Sequence, residues 1–234
     1  MRLCSFALAL AAIPATAQPI ATDRPDFTES TSAVAFARLQ AEAGTTVARE
    51  PGVGTVWSGP ETLIRAGLGR GFEARLVLPD AAAPFTSRLG EAEFGDVAAG
   101  FKAELGQATG FDAAVIVEVS VGGSAGPSPR ALFVVGRDVG PASVGAQAEA
   151  TFDRTADRVL AGGTLVGGLG LSERVGAFLE VAASAVPDGR AAVVLHHGYT
   201  LALGDALQLD IHGGAGLTRT APDVFVGAGV GVRF

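Results

Sequence analysis

The chain has 234 residues, is 48% hydrophobic with a mean hydropathy of +0.38, and carries a formal net charge of −7. That acidic balance argues against nucleic acid, which calls for a basic patch, and against electrostatic docking on an anionic membrane. No apolar run approaches the roughly 20 residues of a membrane-spanning helix. The hydropathy is spread over many short segments instead, as a membrane β-barrel requires, because every backbone polar group inside lipid must be paired.

The N-terminus sets the compartment. Met1 and Arg2 form a short positive region, Leu3 to Ile13 an apolar one, and Ala15-Thr16-Ala17 an A-x-A cleavage site ahead of Gln18. Residues 1–17 therefore read as a signal peptide cleaved near Ala17. Cys4, the sole cysteine, lies inside the apolar region and not at a cleavage point, so no lipid anchor and no disulfide are expected. Residues 18–36 follow as a periplasmic segment dense in charge: Asp23, Arg24, Asp26 and Glu29. Two readings apply. The segment is a lead-in held by local salt bridges, or it folds into a lumen as a plug and pairs with Arg38, Arg65, Arg75 or Arg233.

From residue 37 onward apolar residues recur at period two, the signature of strands with one apolar face. Twelve strands are expected, over 37–47, 61–69, 72–79, 94–105, 111–122, 131–138, 142–152, 158–170, 174–186, 190–203, 206–215 and 223–234; ten or fourteen remain open. Short turns, such as Gly69-Arg70-Gly71 and Gly204-Asp205, alternate with mostly longer connections, the longest at Arg49 to Pro60 and Asp80 to Glu93. An even strand number, short periplasmic turns and longer external loops define outer-membrane barrels. The expected fold is all-β: a closed antiparallel up-and-down transmembrane β-barrel over 37–234, with both termini periplasmic. A secreted soluble β-sandwich would also explain alternation and turns.

The alternation assigns faces. Leu76, Leu78, Phe101, Val117, Val119, Leu179, Val181, Leu209 and Ile211 fall on the outer face. Their neighbours fall on the inner one: Arg38, Gln40, Glu42, Arg65, Glu73, Arg75, Asp96, Lys102, Glu104, Glu118, Gln147, Glu149, Glu180, Gln208, Asp210, His212 and Arg233. A charge facing lipid at mid-depth costs about 2–4 kcal/mol, so this many charges within strands requires a polar lumen. The 33 glycines sit largely inside strands, where they relieve inward crowding and permit curvature. The last strand, ending on Phe234, resembles the closing strand of an outer-membrane barrel, with Phe234 as its assembly signal. One Trp and one Tyr make thin aromatic girdles, and Phe72, Phe94, Phe111, Phe152 and Phe234 stand at strand ends in their place.

Other chemistry is sparse. His196 and His197 point to opposite faces and cannot share a metal; His212 and Asp210 share the inner face and could meet His196, where lumen hydrogen bonding is the expectation. A barrel phospholipase needs a Ser-His pair on the outer face; His197 near Tyr199 has no convincing serine beside it. The Gly162-Gly163 and Gly167-Gly168 runs lack the Lys-Ser/Thr and helix of a phosphate loop. No catalytic, metal or cofactor site is expected.

Two segments carry a family resemblance. Thr22-Asp23-Arg24-Pro25-Asp26-Phe27-Thr28-Glu29-Ser30 and Ala221 to Gly229 with Arg233-Phe234 resemble the outer-membrane MetA-pathway of phenol degradation family. Turns such as Leu171-Ser172-Glu173-Arg174 are similar to that family's hairpins. The resemblance runs from about residue 20 to 234. It implies an outer-membrane barrel admitting aromatic or other small solutes, without catalytic residues. Its implied partners are outer-membrane lipid, a small-molecule solute, and the secretion and barrel-assembly machinery. The rival reading is a non-conducting structural or surface-interaction barrel, its lumen blocked by ion pairs.

Overall fold

The structure, a computed structural model, describes residues 20–85, 92–122, 126–186 and 188–234. The expected signal peptide lies outside the described residues. The strands in chain order are β1 (Leu39–Glu50), β2 (Gly54–Gly69), β3 (Phe72–Leu78), β4 (Ala81–Pro84), β5 (Glu93–Phe94), β6 (Val97–Ala108) and β7 (Phe111–Val121). There follow β8 (Ser128–Val139), β9 (Ala142–Asp153), β10 (Arg158–Gly170), β11 (Val175–Ala185), β12 (Ala191–Ala202), β13 (Leu207–Gly216) and β14 (Val224–Arg233).

Each strand pairs antiparallel with its neighbour, β3 continues to β6, and β1 pairs with both β2 and β14. That last pairing closes the sheet: among the described residues, twelve strands form the ring. β4 and β5 extend the β3–β6 stretch of the wall, β4 pairing with the far end of β2 and with β5. A single closed sheet leaves no unpaired edge and is not the two-sheet sandwich of the soluble alternative.

Both chain ends of the ring and the short turns share one end of the barrel. Arg70-Gly71 and Thr109-Gly110 are two-residue hairpin loops with positive φ at both positions (+56° and +77°, +54° and +83°). Such turns match the twist of the flanking strands, and glycine takes the second position without a Cβ clash.

Several expected boundaries shift. β2 starts at Gly54, not 61, because Thr55-Val56-Trp57 pairs with Val47–Arg49 across the bulge near Thr46. The stretch 48–60, expected as a loop, is thus mostly a long hairpin, with donor-less Pro60 beside the irregularity. β8 starts at Ser128 and brings Arg130 onto the inner wall. Within the long connection 80–93 stands β4, short as edge pieces are.

The outer wall is apolar and exposed, as at Leu165 (67%), Ile211 (61%) and Leu179 (57%). The inner wall inverts the usual arrangement: Arg65, Lys102, Glu42 and Glu73 are all fully buried. Charged side chains are almost never fully buried unless paired. The interior is uneven. On β7 and β8, Ile116, Leu132 and Val134 form a small apolar core. On β9 to β12 the inner positions are mostly Gly, Ala, Ser and Thr, and space remains.

Candidate functional site

Residues 20–36 form a strap running through the ring. Its first anchor is Asp23. The carboxylate takes Arg75 Nη1 at 2.6 Å, Lys102 Nζ at 2.9 and 3.0 Å, and Arg65 Nη1 at 3.2 Å. Its backbone N–H donates to Glu42 at 2.9 Å. Burial alone would raise the Asp23 carboxyl; Arg65, Lys102 and Arg75 outweigh it and hold the group well below the ordinary carboxylate range. Three strands, β2, β3 and β6, supply those cations, each from an inward position.

The cations are shared further. Arg65 meets Glu73 with two bonds of 2.9 Å and Glu42 at 3.1 Å. Arg75 takes Glu118 at 2.8 Å and both oxygens of Glu29 at 2.9 Å. Burial, with the neighbouring Asp23 carboxylate, pushes the Glu29 carboxyl up to about 8. Fork-on-carboxylate geometry of this kind gives the strongest ion pairs, and desolvation makes it costly to remove one partner.

Arg24 forms the second anchor, on the adjoining wall of β1, β2, β13 and β14. It donates to Glu61 at 2.8 Å and Asp210 at 3.4 Å. Its guanidinium lies flat over Gly44 and Gly229: a Cβ added there would stand 2.1 and 2.4 Å from it. Only glycine leaves room for this approach. Arg24 Nε, Asp210 Oδ2 and His212 Nε2 are buried without a partner among the described residues.

The third anchor spans the roomy side. Glu180 accepts the N–H of Phe27 at 2.9 Å, the N–H of Thr28 at 2.8 Å and the Thr28 hydroxyl at 2.6 Å. The Thr28 hydroxyl also meets that of Thr164 at 2.5 Å. Gln147 accepts the Glu29 N–H at 2.9 Å and donates to the Phe27 carbonyl at 3.3 Å. Behind Glu180 stands His196, its Nδ1 at 2.9 Å, and His196 Nε2 lies 3.0 Å from His212 Nδ1. Phe27 packs on His196 with ring centroids 4.4 Å apart, and Phe178 and Phe225 complete the cluster. Burial, then the nearby Glu180, pushes the Asp26 carboxyl well above its ordinary value.

Residues 26–28 separate two cavities. One, of about 330 Å³, lies toward the short-turn end, between the strap and β9 to β12. The other, of about 530 Å³, lies toward the far end and is bounded by Phe27, Glu61, Glu149 and Phe225.

Of the residues singled out in the sequence, Glu42, Arg65, Glu73, Arg75, Lys102, Glu118, Glu180, Asp210 and His212 lie in the interior with the strap residues Asp23, Arg24 and Glu29. Others lie elsewhere. Arg38 is exposed ahead of β1, because the turn at Ala37 (φ +58°) delays the strand. Asp96 is exposed just before β6. Glu104 is exposed near the short-turn rim and accepts the Ala33 N–H at 2.7 Å. Arg233 donates to the Asp205 carbonyl at 2.7 Å, also at that rim. Glu149 pairs with Arg130 at 2.5 Å toward the far end. Of the cations expected to meet the strap, Arg65 and Arg75 do so, and Lys102 joins them. Sequence reasoning passed over Thr28, Thr164, Phe27 and Arg130; the first two carry no charge to mark them, and Arg130 fell outside the expected strand. No group of three metal-ligating side chains occurs among the described residues.

No protein-family model matches the chain, and no curated protein matches it in sequence. Solved structures do. An outer membrane channel from Pseudomonas putida F1 superposes with a TM-score of 0.67 at 11% identity, over 88% of this chain and 98% of that one. The fold is that of the outer-membrane channels and porins. The KdgM porin gives 0.60 at 10% identity over 83% and 99% of the two chains. The NanC porin gives 0.59 at 7% identity over 83% and 98%.

Proposed function

We propose that this protein is an outer-membrane channel for passive passage of small solutes, and that its N-terminal segment is a plug that narrows it. The observation that carries the reading is the partition itself: two lumen cavities on the β9–β12 side are parted by strap residues 26–28. Hydrogen bonds, not covalent structure, hold that strap. The apolar outer wall, the polar inner wall and the porin-like fold support an outer-membrane location. In that setting the short turns and both termini face the periplasm, export precedes cleavage near Ala17, and Phe234 serves recognition by the barrel-assembly machinery.

The solute is small. A twelve-stranded ring lies between packed eight-stranded barrels and open sixteen-stranded porins, and ion pairs of Arg65, Arg75 and Lys102 occupy the lumen beside β2, β3 and β6. The resemblance to the MetA-pathway family supports aromatic or otherwise apolar solutes, and a transport role without catalysis. The Asp23–Arg65–Arg75–Lys102 network favours a second reading, a non-conducting barrel. Planar-bilayer recordings separate the two. Deleting residues 18–30 raises conductance if the strap is a plug; a folded deletion variant with unchanged conductance sinks the plug.

A further inference from the structure

The cavity on the short-turn side has a chemistry of its own. Its wall carries Ser143 on β9, Thr200 on β12 and Gln208 on β13, and the strap contributes Asp26. The Ser143 and Thr200 hydroxyls make no hydrogen bond among the described residues. They reach over Gly168 and Gly176: a Cβ added to those glycines would stand 2.3 Å from the Ser143 oxygen and 2.7 Å from the Thr200 oxygen. The two hydroxyls thus take the space that side chains at those glycines would fill. Phe178 offers an aromatic surface in the same wall.

We propose that this cavity is a binding site for a small uncharged polyhydroxylated solute, held by Ser143, Thr200, Gln208 and Asp26. The inference rests on the channel reading, since it places the site on the path below the strap. The two hydroxyls donate and accept, and Gln208, whose amide nitrogen is taken by the Thr22 hydroxyl at 2.6 Å and the Arg24 carbonyl at 3.4 Å, adds an accepting oxygen, so the set matches alcohol groups. Asp26 adds a carboxyl whose proton affinity is raised by burial and by the nearby Glu180, which favours its uncharged, hydrogen-bonding form. Arg24 also lines the cavity, but its guanidinium is already shared between Glu61 at 2.8 Å and Asp210 at 3.4 Å, so an anionic solute finds no free countercharge. A volume of about 330 Å³ stands at the small end of ligand pockets, which run from about 300 to 1,000 Å³. That end suits a solute of pentitol or monosaccharide size.

The test is saturation-transfer NMR on the refolded barrel in detergent, with ribitol as probe and gluconate as its anionic counterpart. Saturable ribitol binding with no gluconate binding is expected. Ser143→Ala with Thr200→Val removes two hydrogen-bonding groups and should weaken ribitol by about tenfold or more. Gly176→Ala, which places a methyl against Thr200 and removes no hydrogen-bonding group, should weaken it as well. Each variant is first checked for the gel shift of a folded barrel. Ribitol that fails to bind, or binds equally to both variants, overturns the site. Conductance decides separately: ribitol binding to a barrel that never conducts keeps the site and defeats the channel.

Discussion

Replacing Glu180 by alanine should release the strap while the barrel stays folded. The carboxylate accepts three hydrogen bonds from the strap, two from N–H groups and one from a hydroxyl, at 2.6–2.9 Å. Hydrogen bonds to a charged group contribute about 1.5–3 kcal/mol each. Their sum overstates the loss, because water enters the vacated space and satisfies part of the strap. A net cost of about 3–5 kcal/mol to docking follows, or about two to nearly four powers of ten in the docked-to-released ratio. Removing the carboxylate also relieves its repulsion of Asp26. That is one contact set against three lost hydrogen bonds at 2.6–2.9 Å, so loss of the hydrogen bonds wins. Barrel closure depends on backbone ladders that the substitution leaves alone. The assay pairs bilayer conductance with maleimide labelling of Ser30→Cys, a clean reporter because the sequence has no cysteine beyond Cys4. Larger conductance steps and faster labelling in the Glu180→Ala background are expected. Unchanged conductance and labelling in a folded variant would refute the latch.

Asp23→Asn leaves Arg65, Arg75 and Lys102 around a neutral group; breaking such a buried ion cluster should cost about 3–5 kcal/mol, read as a lower gel-shift melting temperature. Strap docking should weaken as pH rises. The docked pKa of Glu29, about 8, lies above its free value of 4.5, so the docked state holds the proton more tightly; that advantage is complete below 4.5 and lost through 8. Labelling of Ser30→Cys should accelerate over that window, and Glu29→Gln should flatten the profile. Leu165→Arg places a charge on the exposed outer wall near the middle of β10 and should cost about 2–4 kcal/mol in urea titrations in vesicles.

The barrel was legible because its rule is local. Each strand must present apolar groups at every second position, and Val115 to Val121 or Leu207 to Ile211 do so without reference to any partner. Strand ends were less legible. Extension of β2 back to Gly54 depends on pairing with β1, and the start of β8 at Ser128 on pairing with β7, neither of which a single segment reveals. Arg38 and Asp96 share the inner parity, yet parity holds only while the chain is extended, and both lie outside the strands. The strap carried its charges openly in Asp23, Arg24 and Glu29. Its partners could not be read, because which cation meets Asp23 depends on how three strands stagger around the ring. Thr28 and Thr164 were invisible for a different reason: neutral hydroxyls gain meaning only from the carboxylate placed beside them.

A reversible tether between Thr28→Cys and Thr164→Cys tests the gating claim most directly. Their hydroxyl oxygens stand 2.5 Å apart, within reach of a disulfide, which requires neighbouring Cβ atoms. Single channels of the double variant are recorded first oxidised and then with reductant added to the same bilayer. The account predicts low conductance while oxidised and larger discrete steps once the tether is cut. Equal conductance in both states, with the disulfide verified by mass, would contradict it.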